Sequence, residues 1–296
     1  MSNLVQRILL FLIMIPLLLF IIIVWTGPSH LIINLLTFLV TVGLTFESSR
    51  LVGLFPNPTH HNRPRKTVRI VSVTTIGSLP VIVAILITQG WLPFSALFAS
   101  TICLILLVFA GQVIRTQWAK PSETLPQVLS YTFLVLYPGL LMAHLVTLSL
   151  LPYATELILA LLGAVFINDT AAFVIGRIFG KFSISPIKVS PKKTLIGFLG
   201  GFVISPLIMF LIWYFNPAVF PSGAFSAIVI GVIIGGSTII GDLFESALKR
   251  STGMKDSGTI IPGRGGLLDS LDSTMYSAPI FFYVYVYSQN LWHLIR

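Results

Sequence analysis

Charge is what this chain has least of. Of its 296 residues only 9% are Asp, Glu, Lys or Arg while 55% are hydrophobic, a balance that excludes a soluble domain with an ordinary solvated surface. Its single cysteine, Cys103, lies inside an apolar run, so no internal disulfide can form. The five histidines are scattered, and the adjacent His60 and His61 diverge on any regular element. Nothing here suits zinc, and no Ser-His-Asp or Cys-His set is available for nucleophilic catalysis. Internal repeats, low-complexity tracts and long soluble linkers are also missing. The connections TGPSH, QGWLP, LPYAT and NPAVFPSG are too short to house a separate module on their side of a membrane.

What is plentiful is apolar sequence in runs near the length a helix needs to cross hydrocarbon. These runs predict nine spans, at about 8–25, 31–46, 68–90, 94–114, 127–150, 154–176, 195–215, 224–245 and 272–292. The expected architecture is therefore all-α: a polytopic integral membrane helical bundle. It is one integral domain, with N-terminal helices in 1–150 and a chemistry-bearing region in 151–296. The run after Arg7 has a long apolar core and no small-x-small site following it, so it is expected to stay as an uncleaved anchor.

With nine spans, every lysine and arginine except Arg296 falls on one face, which the positive-inside rule makes cytoplasmic. Trp25, Trp91, Trp213 and Trp292 end spans on the opposite side, as an interfacial belt would. The net charge of +9 then reflects topology and contact with anionic membrane lipids, with no nucleic-acid partner implied. The loop HHNRPRKTVR at 60–69 reads the same way.

Against this background, the stretch from Asp242 to Ser273 is dense in charge. Asp242, Ser246, Lys249 and Arg250 stand at i, i+4, i+7 and i+8, sharing one helical face as the eighth span leaves the membrane, with Glu245 beside them. A carboxylate at that depth costs ~2.5–3.5 kcal/mol on insertion scales unless it is paired or faces water or a metal. Lys255 and Asp256 follow, then Asp269 and Asp272, which one helical turn projects in the same direction. Paired carboxylates suit a hard cation such as Mg2+, which fills its other positions with water and substrate phosphates. The turn PGRGG supplies Gly263, Arg264, Gly265 and Gly266, whose amides and guanidinium suit phosphate oxygens.

A second polar stretch, 168–201, carries Asp169 near the end of the sixth span. Arg177, Lys181, Lys188, Lys192 and Lys193 follow it in a loop broken by Pro186 and Pro191. Its GRIFGKF is not a phosphate-binding P-loop, because the glycine spacing is a residue short and Phe182 replaces the required hydroxyl. Carboxylates for a hard cation among many lysines and arginines point to phosphoryl or nucleotidyl transfer, where catalysis consists of positioning anions and neutralising charge.

On these residues the chain resembles the phosphatidate cytidylyltransferases, or CDP-diacylglycerol synthases. The signature of that family is matched by Ser246, Lys249, Arg250, Lys255, Asp256, Pro262, Gly263, Gly265, Gly266, Asp269 and Asp272. An upstream pattern is matched by Asp169, Phe173, Gly176, Arg177, Gly180, Lys181, Ser190, Pro191, Lys193 and Thr194. The resemblance implies transfer of the cytidylyl group of CTP to phosphatidic acid or a related lipid phosphate, with Mg2+ as cofactor, and is compatible with a homodimer. It assigns Asp242, Asp269 and Asp272 to the metal, and Lys249, Arg250, Lys255 and Asp256 to the catalytic set. Asp169, Arg177, Ser190, Lys192, Lys193, Thr194, Ser246, Gly263, Arg264, Gly265 and Gly266 are assigned to substrate. The expected location is the bacterial inner membrane, with the site facing the cytoplasm. Three positions depart from the pattern: Arg264 stands where the family has His, Ser270 where it has Arg, and Ile196 where it has Glu. Those departures keep three other readings in view: a different lipid-phosphate or polyprenol acceptor, an inactive relative, and a transporter. Against the last, the charges gather at one face and no pair of broken, repeated helices is present.

Overall fold

The computed structural model describes residues 16–25, 27–54, 63–117, 120–185, 187, 189–191, 193–261, 265–291 and 293. Side chains 28 and 63–69 are left aside, and the expected anchor segment before residue 16 lies outside the described residues. Each expected span has a helix. These are α1 (16–24), α2 (Leu31–Leu51), α3 (Arg63–Thr88), α4 (Ser95–Arg115), α5 (Pro121–Leu150), α6 (Ala154–Phe179), α7 (Leu195–Phe215), α8 (Gly223–Ser251) and α9 (Leu268–Ser288). Seven of them, α2 to α8, are long and apolar enough to cross a membrane, and the protein is an integral multi-pass membrane protein. Among the described residues the only strand-like pairing is a single antiparallel bridge between Ile261 and Gly265.

Of the two helices outside that set, α1 and α9, the second explains the layout. It carries Asp269, Asp272, several serines and four tyrosines, too polar a surface for lipid, and it is surrounded by α8, α5, α6 and α2. Asp272, Ser273, Thr274, Ser277, Phe281, Phe282 and Tyr285 are all buried in that setting. Its polar groups are met by neighbouring helices. Ser273 donates to the Thr238 carbonyl at 3.1 Å, Ser277 and Ser237 share a 2.8 Å bond, and Tyr285 donates to the Val219 carbonyl at 2.7 Å. Such interhelical bonds and close backbone approach hold helices together where lipid supplies no hydrophobic drive. Gly241 shows the second device. A Cβ there would lie 3.0 Å from Ser273 Cα and 3.1 Å from the Asp272 carbonyl oxygen, so only glycine lets α8 touch α9 at the point where Asp242 emerges.

In α5 the expected uninterrupted helix contains a π-helical segment, Val135–Leu140, around Pro138. Proline cannot donate to the ladder, and the wider turn absorbs the mismatch while presenting Tyr137 to Phe244 of α8, with ring centroids 5.3 Å apart. At the end of the bundle away from the charge cluster, Ser222 bonds the Ser288 carbonyl at 2.7 Å, and Gln289 bonds Ser226 at 2.8 Å.

In a Cys103→Ser background, cysteines at the exposed positions Ser222 and Thr259 report the orientation. In intact cells an impermeant thiol reagent is expected to label position 222 and to spare position 259 until the membrane is opened. Labelling of 259 from outside would invert the assignment.

Candidate active site

The charged end of the bundle is built where α8 stops and α9 begins. On α8, Asp242, Glu245 and Lys249 recur at helical spacing and face α7 and α9. The Lys249 ammonium lies 2.6 Å from Glu245 Oε2 and 2.6 Å from Asp269 Oδ1, so one lysine ties the end of α8 to the start of α9. Little of the three side chains is exposed: 12% for Lys249, 1% for Glu245 and 7% for Asp269. Two carboxylates sharing one ammonium at such depth leave one negative charge to be met by a proton or by a further cation.

Asp269 is engaged on both oxygens. Besides Lys249 on Oδ1, its Oδ2 accepts the Gly266 amide at 2.7 Å, the Ser257 amide at 3.0 Å and the Ser257 hydroxyl at 3.0 Å. A carboxylate near the first turn reaching back to amides before the helix satisfies donors that the helix cannot. The turn before it closes through Ile261 and Gly265, which exchange amide bonds of 2.8 and 3.1 Å. Gly265 has φ +116°, and a Cβ there would sit 2.5 Å from Asp269 Oδ2, so glycine is required for both reasons.

From the other side, the α6–α7 connection delivers Lys193 onto the Asp242 carboxylate. Burial pushes the Lys193 ammonium below the usual lysine range, while Asp272, then Asp169 and Glu245, pull it back up and Lys249 opposes them. Asp242 thus meets this ammonium directly, and Asp272, Asp169 and Glu245 act on it through their charge. Thr194 caps α7 by accepting the Gly197 amide at 3.3 Å, and the bare faces of Gly176 and Gly180 leave room for that threonine. Ser190 closes the preceding turn by accepting the Lys193 amide at 3.1 Å.

The structure thus gathers Asp169, Lys193, Asp242, Lys249, Gly265, Gly266, Asp269 and Asp272 at one end. Ser246 is half-buried on α8. Arg177, Arg250, Lys255 and Asp256 are exposed, with Arg250 donating to the Met254 carbonyl at 3.4 Å. Lys192, Gly263 and Arg264 lie outside the described residues. Three contributors went unassigned on sequence grounds: Glu245, which pairs with Lys249, Ser257, and Glu47 of α2. Glu47 accepts the Leu267 amide at 3.1 Å and the Leu268 amide at 2.8 Å. The one signal for Glu47 was an acid directly after the apolar run expected as the second span, at 31–46.

The donor set fits a hard cation. Asp242 offers oxygen donors beside the Lys193 ammonium, Asp272 is buried at the same end, and Glu245 Oε1 is buried with no hydrogen-bond partner among the described residues. Among those residues no three acidic, histidine or cysteine side chains form a closed metal cage. A metal here would take one or two carboxylates and complete its shell from water and phosphate, as magnesium does.

A sequence model of the cytidylyltransferase family matches residues 5–288. The chain belongs to that family. It is 45% identical over 127 residues to the uncharacterized protein YnbB of Escherichia coli (strain K12), covering 43% of this chain and 41% of that one. It is 34% identical over 153 residues to a phosphatidate cytidylyltransferase of Aquifex aeolicus, covering 52% of this chain and 55% of the relative. A third relative, the phosphatidate cytidylyltransferase of Staphylococcus saprophyticus, is 41% identical over 119 residues, 39% of this chain and 44% of its own length. The matched stretches span about half the length of these relatives.

Lys249→Met would leave Glu245 and Asp269 buried together without their shared cation, a loss expected to cost about 3–5 kcal/mol. The half-exposed Arg115–Glu123 pair, at 3.0 Å, provides the contrast: Arg115→Ala should change stability by less than about 1 kcal/mol. Denaturation of the two purified variants in the same detergent measures the difference. Equal effects would show that the Lys249 bridge is not a buried structural pair.

Proposed function

We propose that this chain is a CTP:phosphatidate cytidylyltransferase that forms CDP-diacylglycerol and pyrophosphate at the cytoplasmic face of the bacterial inner membrane. The observation that carries the reading is the Lys249 bridge to Glu245 and Asp269 beside the Lys193–Asp242 contact, in a chain of the cytidylyltransferase family. Lysines fixed by carboxylates at the end of a membrane bundle suit a substrate pair with one partner in the cytosol and the other in the bilayer.

In the reaction, an oxygen of the lipid phosphate attacks the α-phosphorus of CTP in line. The bond from that phosphorus to the bridging oxygen of the β-phosphate breaks, and its electron pair leaves with pyrophosphate. The lipid phosphate is ionised at neutral pH and needs no base, which accords with a site built without histidine. Lys249 and Lys193 are held where they can neutralise oxygens that gain charge, at no cost in reorganisation. Arg250, Lys255 and Arg264 are proposed to hold the outer phosphates, with Asp256 beside them and the amides of Gly265 and Gly266 completing the cradle. Magnesium, held by Asp242 and Asp272 with Asp269 fixing the adjoining loop, would supply charge neutralisation to the triphosphate. A second reading keeps the CTP chemistry and changes the lipid acceptor. It is favoured by Ser270, whose hydroxyl turns inward to the Gly266 carbonyl at 3.2 Å where the resemblance leads one to expect an arginine.

Purified protein with CTP, phosphatidate and magnesium is expected to release CDP-diacylglycerol and pyrophosphate, and to stop when the metal is chelated. Asp272→Asn should lower turnover by about 10²–10³-fold while leaving the protein in the membrane. Wild-type transfer to another lipid phosphate but not to phosphatidate would favour the second reading. No CTP-dependent transfer at all would remove both.

The lowered pKa of Lys193 gives a pH test with a definite sign. Its proton is lost at lower pH than that of an exposed lysine, so a step needing this charge fades early on the alkaline side. Lys193→Arg keeps the charge and should carry the alkaline limb of kcat/KM to higher pH. An unmoved limb would take Lys193 out of that step.

A further inference from the structure

Among the described residues the α8–α9 connection between Ser251 and Leu268 has no helix, and its hold on the site comes from a helix far away in the chain. Glu47, 1% exposed, sits just before the last turn of α2, where its own helix dipole gives a negative charge no support. Among the described residues no lysine or arginine forms an ion pair with it. Its partners are instead the amides at the start of α9: Oε1 accepts Leu267 and Oε2 accepts Leu268. The amino end of α9 thus serves as the counter-charge.

Three glycines mark how closely the loop is moulded on this side chain. A Cβ at Gly258 or Gly266 would collide with the Glu47 carboxylate, and one at Gly43, a turn earlier on α2, would run into the Leu267 side chain. The decisive contact is Ser257. Its hydroxyl oxygen is 3.0 Å from Glu47 Oε2 and 3.0 Å from Asp269 Oδ2, but a hydroxyl carries one hydrogen and can give it to only one carboxylate at a time. Glu47 and Asp269 therefore compete for, and are coupled by, the same hydrogen.

We propose that Glu47 is a positioning residue for cytidylyl transfer: it clamps the amino end of α9 and, through Ser257, sets the orientation of Asp269 and with it Lys249. The activity readout rests on the cytidylyltransferase reading above, whereas the clamp rests on geometry alone. Glutamine at this position offers one acceptor where the site needs two, and turns its amide hydrogens toward a donor.

The test compares the full-length wild type with Glu47→Gln, Ser257→Ala and the double variant, all in lipid nanodiscs and at a temperature where each is folded. Glu47→Gln is expected to lower kcat by about 10²-fold, with the KM for phosphatidate within about threefold of wild type, because the loop is misplaced and the lipid contact is not. The double variant should lose less than the product of the two single losses, since part of the clamp reaches Asp269 through that hydroxyl. Near wild-type kcat in Glu47→Gln, or fully additive losses, overturns the proposal. If Glu47→Gln fails to fold, Ser257→Ala carries the test, and unchanged kcat there overturns it. A wild type that does not use phosphatidate but binds CTP about tenfold more tightly than Glu47→Gln sinks the lipid assignment and upholds the clamp. Equal CTP binding in that case sinks the clamp as well.

Discussion

Hydrocarbon offers a carboxylate neither a donor nor a counter-ion, so each acid carried into this bundle has to bring its own. Glu47 is met by the amino end of α9, Asp269 by Lys249 together with two amides and a hydroxyl, Glu245 by the same Lys249, and Asp242 by Lys193. Every one of these solutions uses a helix end or a lysine arriving from a loop, because only there are donors unspent by the helical ladder. The polar cluster consequently forms where α2, α7, α8 and α9 begin or end. The same groups that make burial tolerable are the ones a phosphate or a cation would engage.

That economy gives several signature residues two kinds of work. Thr194 belongs to the pattern shared with cytidylyltransferases, and its hydroxyl caps α7. Gly265 and Gly266 belong to a turn suited to phosphate, yet each also makes room for a carboxylate, Asp269 in one case and Glu47 in the other. Asp269 itself organises the loop as much as it offers charge. Family patterns of this sort record packing constraints alongside chemistry.

The nine expected spans each correspond to a helix because lipid-facing surface must be apolar along its whole length, a signal that is local and strong. The last span was placed at about 272–292, whereas α9 runs Leu268–Ser288: the apolar window drew the boundary toward the tyrosine-rich end and missed the capped, polar start. Asp242, Lys249, Asp269 and Asp272 were legible from spacing on one helix or in one loop. Glu47 was not, since its partners lie about 220 positions downstream and its own neighbours, Thr45, Phe46 and Ser48, form no motif. Nor did periodicity disclose the π-helical segment at Pro138, whose register depends on contact with α3, where Gly139 stands against the Gly77 carbonyl.

The polarity of α9 has a consequence for biogenesis. A segment with two aspartates in its first five residues and a run of serines and tyrosines is a poor substrate for insertion on its own, since aspartate is among the residues least favoured in a membrane span. It enters the bilayer favourably only when Lys249, Ser237 and the Thr238 carbonyl are already there to receive it. The α8–α9 hairpin is then the unit that partitions into the membrane, and the polar cluster at its turn forms in the same step.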